Sequence, residues 1–212
     1  MIDDVPSESN RVGRLFRERF TFQISVDTYD VPQGLVVAEA ALKAGVTILE
    51  LGTPLLKSEG VRNVVPIFRQ RFPKALLVAD MKTMDGGEGE ANAVYSGGGN
   101  VIDFLASAGE ATAGAVCAVR DTFRQADPAL FQGSYLHDVA CAVFESVGDR
   151  VSVQVVGGLS VEQAVALARK GLRAFVISGN LGLPDAKSRY GLPGGEIEQH
   201  IRDFIGQVSA AG

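Results

Sequence analysis

The residues best suited to chemistry fall in one stretch, residues 75–87, read as ALLVADMKTMDGG. The apolar run Ala75-Leu76-Leu77-Val78-Ala79 stops abruptly at Asp80, Lys82 and Asp85, and Gly86 and Gly87 follow. Asp80 and Lys82 are two residues apart, so on an extended chain their side chains point the same way. A carboxylate and an ammonium then share one face at the carboxyl end of a buried strand, where α/β barrels and open α/β sheets carry their chemistry. A structural ion pair is the plainer reading of the two charges alone. Three charges packed this closely after an uncharged run are costly, however, unless solvated, paired or bound to a ligand. Glu50 poses the same question inside the run Val46-Thr47-Ile48-Leu49-Glu50-Leu51, and Asp27 closes another apolar run. Carboxylates recurring at matching strand ends favour a ligand or metal site over a salt-bridged core Glu.

These side chains need a scaffold of strands. Residues 21–27, 46–52, 75–82, 101–106, 151–156 and 173–177 read as strands, with helical periodicity between most of them. Asp30 and Pro32 start a helix that Gly45 stops. Val61, Val64, Val65 and Phe68 share one helical face, and residues 88–95, 113–124 and 197–208 read as further helices. Ser160 and Gln163 form a capping box for a helix that Gly171 ends. The strongest helical pattern in the middle of the chain is Leu136, Val139, Ala140, Val143, Phe144 and Val147. Repeated strand–helix units imply a parallel sheet. Their spacing of roughly 22 to 29 residues suits a (β/α)8 barrel of the TIM type. Six strands do not close one, and residues 107–150 supply no clear strand, so the expected barrel is incomplete or open around its fifth and sixth strands. Residues 1–20, with Val12, Leu15, Phe16 and Phe20 at rough helical spacing, read as an appendage to a single domain over 21–212.

Composition narrows the class. A chain of 212 residues, 46% hydrophobic with 25 glycines and no Trp, suits an α/β protein with many tight turns. A formal net charge of −5 offers no basic footprint for nucleic acid. No apolar run reaches the ~18 residues of a membrane span, and the acidic start MIDDVPSESN is unlike a secretory signal. Cys117 and Cys141 lack metal-ligand spacing and read as small buried thiols in a reducing cytoplasm.

The motif Asp80-Met81-Lys82-Thr83-Met84-Asp85 resembles the D-x-K-x-x-D pattern of the orotidine 5'-phosphate decarboxylase superfamily. Its D-M-K-T-M-D form is similar to the 3-hexulose-6-phosphate synthase branch in particular. The resemblance runs from Gln23 onward. It implies a catalytic-site carboxylate at Asp27, Mg²⁺ ligands at Glu50 and Asp80, and catalytic roles for Lys82 and Asp85. It further implies substrate contacts at Glu59, and a phosphate held by the backbone of Gly157, Gly158, Ser178, Gly179 and Asn180. Glycine-rich turns that open onto helices suit that last role physically. Family barrels are homodimers in which the second Asp of the motif reaches the partner's site, so Asp85 is expected to act in trans. The resemblance breaks between Phe123 and Leu136, where the family's fifth and sixth strands, and the His that moves a proton, have no counterpart. His137 falls on an expected helix and reads as a surface or capping residue, and His200 is equally ordinary.

The activity this implies is a Mg²⁺-dependent aldolase joining formaldehyde to D-ribulose 5-phosphate through an enediolate, in the cytoplasm. Two other readings stand beside it. One is decarboxylation of 3-keto-L-gulonate 6-phosphate through the same enediolate, against which the residues flanking Lys82 argue. The other is a phosphosugar-binding or assembly protein that has lost its base.

Overall fold

Five β-strands of four to eight residues and one two-residue edge strand build the central sheet of the computed structural model, which describes residues 19–126, 154–156, 158–181 and 189–212. The strands are β1 (Thr21–Val26), β2 (Ile48–Leu51), β3 (Leu76–Thr83), β4 (Val101–Phe104), β5 (Gln154–Val155) and β6 (Ala174–Ile177). All pair in parallel, in the order β4-β3-β2-β1-β6-β5. The last strand therefore lies beside the first, which is how a barrel folds back on itself. Among the described residues the sheet ends at β4 on one side and β5 on the other, so it is a six-stranded, open part of a barrel. The strands expected over 21–27, 46–52, 101–106 and 173–177 are found with ends trimmed by one or two residues, β3 lies one residue later than expected, and the described part of the strand expected over 151–156 pairs at Gln154–Val155. Residues 1–18 of the expected appendage, and the helix expected around Leu136, lie outside the described residues.

Side-chain alternation sorts the strand residues into two environments. Phe22, Ile24, Val26, Leu49, Leu51, Leu77, Ala79, Ile102, Phe175 and Ile177 face the helices and form one large core with them. The opposite, inner face carries Ile48, Val78, Val101 and Ala174 as a second, small apolar cluster. Further toward the carboxyl ends the same face turns polar. Ser25 lies beside Glu50 and Glu50 beside Val78, and Asp80 follows two residues later on β3.

The outer helices are α1 (Val31–Ala44), α2 (Thr53–Glu59), α3 (Val61–Arg71), α4 (Gly87–Ser96), α5 (Gly109–Ala126), α6 (Val161–Arg169) and α7 (Gly194–Ser209). Asp30 caps α1 by accepting from the Gln33 N–H at 2.8 Å, and Gly45 ends it at φ 105°. The capping box of α6 forms as expected: Ser160 Oγ accepts from the Gln163 N–H at 3.3 Å and Gln163 Oε1 from the Ser160 N–H at 2.9 Å. In α7, Ile197, Ile201, Phe204 and Val208 recur at helical spacing and are buried, packing the helix onto α1 and the sheet. Residues 109–126 are helical throughout, which extends the helix expected over 113–124 at both ends. Cys117, the free thiol among the described residues, is half-buried on that helix. No helix of the described residues is long and apolar enough to cross a membrane.

Candidate active site

Each carboxylate of the inner face comes from a different, adjacent strand. Glu50 is on β2, Asp80 on β3, Asp103 on β4, and Asp27 directly follows β1. Glu50, Asp80 and Asp103 are buried, whereas Asp27 is half-buried. Lys82 stands at their rim with its side chain 50% exposed, and its ammonium pairs with Asp80, whose own side chain is 7% exposed. The geometry departs from simple alternation. Lys82 has φ 50°, the left-handed region, and the β3–β4 register slips between Ala79 and Thr83. A residue in that conformation folds back on itself, which brings the ammonium onto the carboxylate two residues earlier. Asp80 and Lys82 thus meet through a bulge, a device that re-aims side chains next to active sites.

Asp80 is the hub. Thr53, at the start of α2, donates from Oγ1 to Asp80 Oδ2 at 2.7 Å and from its backbone N–H at 3.3 Å. Lys82 Nζ donates to Thr53 Oγ1 at 2.7 Å as well as to Asp80. Burial pushes the Asp80 carboxyl up, but hydrogen bonds from Asp103, Lys82 and Thr53 outweigh it and hold it below its usual range. Burial works against the Lys82 charge too, and Asp80 overcomes it, so the ammonium is held above its usual pKa. At Glu50, burial and then the Asp80 charge drive the carboxyl up to about 8, although Gln23 Nε2 donates to Oε2 at 2.9 Å. Gln23 Oε1 in turn accepts from Gln154 Nε2 at 3.3 Å, a short amide relay behind Glu50. Asp103 is pushed up to about 7 by burial and by its hydrogen bond with Asp80. Burial also raises Asp27, against a hydrogen bond from Ser25.

Asp103, Thr53 and Gln23 are the partners that sequence reasoning did not single out. Asp103 carried the signal that drew attention to Glu50, a carboxylate inside an apolar run, here Val101-Ile102-Asp103-Phe104. Two expected residues are not gathered into the group. Asp85 is exposed between β3 and α4 and makes no hydrogen bond or ion pair within the described residues. Glu59 ends α2, roughly 9 Å along the helix axis from Thr53.

At the other side of β1 two turns converge. Asn180 is buried, and its Nδ2 donates to the Gly158 carbonyl at 2.7 Å, tying the turn after β6 to the turn after β5. Ser178 Oγ donates to Asn180 Oδ1 at 3.3 Å, and the Gly179 carbonyl accepts from Arg189 N–H. Gly158 takes φ 67°, which L side chains rarely adopt. Gly157 lies outside the described residues.

The donor set suits a hard divalent cation. Glu50 and Asp80 offer only oxygen, and burial first, then the Asp80 charge, raises the Glu50 carboxyl, so a cation beside it would favour its ionised form. No group of three or more His, Cys, Asp and Glu side chains forms a metal cage among the described residues. Two carboxylates completed by substrate oxygens and water are the usual way to bind Mg²⁺.

Residues 21–183 match the family described as orotidine 5'-phosphate decarboxylase / HUMPS. The chain belongs to this family. The 3-hexulose-6-phosphate synthase of Mycobacterium gastri is 37% identical over 99 residues, 46% of this chain and 47% of that protein. The probable 3-keto-L-gulonate-6-phosphate decarboxylase of Haemophilus influenzae is 33% identical over 108 residues, 51% of this chain and 47% of that one. The chain thus matches about half the length of these curated relatives. Among solved structures, KGPDC from Streptococcus mutans superposes with a TM-score of 0.67 at 18% identity. The match covers 90% of this chain and 97% of that one, and it shows a shared fold.

Proposed function

We propose that this family member is a Mg²⁺-dependent aldolase that condenses formaldehyde with D-ribulose 5-phosphate. The observation that carries the reading is the Lys82 ammonium seated on Asp80 beside Glu50, within a D-M-K-T-M-D motif. Mg²⁺ held by Glu50 and Asp80 would supply Lewis-acid stabilisation of adjacent sugar oxygens. Lys82, at the rim, would donate to the oxyanion developing on the sugar. Thr53 and Lys82 hold the Asp80 carboxylate in place. Asp27 orients a substrate hydroxyl or Lys82, and the linked turns at Gly158 and Asn180 hold the phosphate through backbone N–H groups.

The 33% identical Haemophilus relative favours a second reading, decarboxylation of 3-keto-L-gulonate 6-phosphate. Met81, Thr83 and Met84 around Lys82 favour the aldolase. A single pair of assays separates them: Mg²⁺-dependent formaldehyde consumption with ribulose 5-phosphate, and CO2 release from 3-keto-L-gulonate 6-phosphate. Only the first is expected to proceed at an enzymatic rate. Sugar phosphate binding without turnover of either would favour the non-catalytic binding protein instead.

The same reading makes the chain a cytoplasmic homodimer with Asp85 serving the partner's site, supported by the exposed position of Asp85 beside the exposed apolar Met84 and Leu105. Mixing inactive Lys82→Ala and Asp85→Ala chains should restore activity through hybrid dimers. Failure to complement, with both variants folded, counts against the trans role.

A further inference from the structure

In the bulge of β3 a side chain takes up the Lys82 peptide N–H. Asp103 Oδ1, on the inner face of β4, accepts from Lys82 N at 2.8 Å. The same carboxyl lies against that of Asp80. Asp103 is itself 5% exposed and enclosed by β3 and β4. One side chain therefore holds the Lys82 backbone while standing beside the Asp80 carboxyl. Left-handed backbone at a residue with a Cβ persists only where its surroundings impose it. On the far side of the bulge, Leu105 N–H donates to Thr83 O at 3.0 Å and restores the ladder. Asp103 is thus the side-chain contact that spans the irregular part.

We infer that Asp103 is a positioning residue of this site, clamping Lys82 in its left-handed conformation so that its ammonium meets the Asp80 carboxylate. The inference deepens the proposed function and rests on it for its kinetic arm only. One hydrogen bond defines the clamp, and an amide reproduces it: in Asp103→Asn, Oδ1 still accepts from Lys82 N–H. Asp103→Ala removes it.

The test combines turnover with a readout independent of activity. In Asp103→Ala, kcat for the aldol reaction should fall on the order of 10²-fold with KM for ribulose 5-phosphate little changed, the expected cost of a misplaced catalytic group. Asp103→Asn should stay within about tenfold of the parent. In ¹H–¹⁵N spectra the Lys82 amide should lose its hydrogen-bonded shift in the Ala variant and keep it in the Asn variant. An unchanged Lys82 amide shift in Asp103→Ala overturns the clamp, and so does an Asn variant as impaired as the Ala variant. Should Asp103→Ala fail to fold, the Asn variant decides: retained amide shift and turnover support the clamp, and loss of either overturns it. If the parent turns over neither substrate pair, the functional reading fails, and the Lys82 amide alone decides the role of Asp103.

Discussion

A Cβ placed on Gly52 would stand 2.1 Å from Asp27 Oδ1 and 2.7 Å from the Val26 carbonyl oxygen, so the ends of β1 and β2 touch at these two residues. The Gly52 N–H also donates to that carbonyl at 3.2 Å. The Asp27 side chain can swing away from an added methyl group, but the backbone cannot. Gly52→Ala should lower stability by about 1–3 kcal/mol, the usual cost of overpacking, and displace Asp27 from the site. Chemical denaturation together with turnover checks both effects. A stable, fully active Gly52→Ala protein would show that β1 and β2 are not held this close.

Protonation should couple to folding through the inner carboxyls. Burial and Asp80 raise Glu50 from 4.5 to about 8, and burial and Asp80 raise Asp103 from 3.8 to about 7. For both groups the folded pKa lies above the unfolded one, so their stabilising contribution is present at low pH and lost as pH rises through about 7 and about 8. Asp80 is shifted the other way, and its contribution is lost only below the usual carboxylate range. Without metal, Tm should therefore fall from about pH 5 toward about pH 8.5, and Glu50→Gln should flatten the slope. A Tm independent of pH across that window in the parent protein would contradict the shifts.

Metal and sugar phosphate should bind together. Asp80 links Lys82, Thr53 and Asp103, so Asp80→Asn removes a charge on which all three are arranged. Calorimetric titration with Mg²⁺ and ribulose 5-phosphate should show metal-dependent binding in the parent and none in Asp80→Asn. Equal binding in the variant would rule out Asp80 as a ligand.

Asn180 should matter for capture rather than for chemistry. Its side chain joins the two turns by donating to the Gly158 carbonyl. Asn180→Ala frees them and leaves Asp80 and Lys82 untouched. KM for the sugar phosphate is expected to rise about tenfold, the worth of ~1.4 kcal/mol in binding, with kcat nearly unchanged. A fall in kcat at constant KM would move Asn180 into the reacting centre.

Local features were legible in the sequence because their causes are local. The apolar runs in residues 21–27 and 75–79, the Asp30 and Ser160 caps, and Gly45 as a stop depend on neighbours within a few residues, and each appears in the structure. A carboxylate in the apolar run of β2 likewise marked Glu50 without any knowledge of its partners. Tertiary structure decided the rest. Alternation placed Asp80 and Lys82 on one face, whereas the bulge against β4 turned Lys82 into the left-handed region and onto Asp80. Asp103 joined them from a strand 21 residues beyond Lys82, and Gln23 reached Glu50 across 27. Such pairs are set by strand register and inward-facing geometry, which no window of sequence contains. The residue types that could do chemistry were determined by the chain itself, and which of them share a proton, a charge or a backbone N–H was decided by the parallel sheet that lines them up.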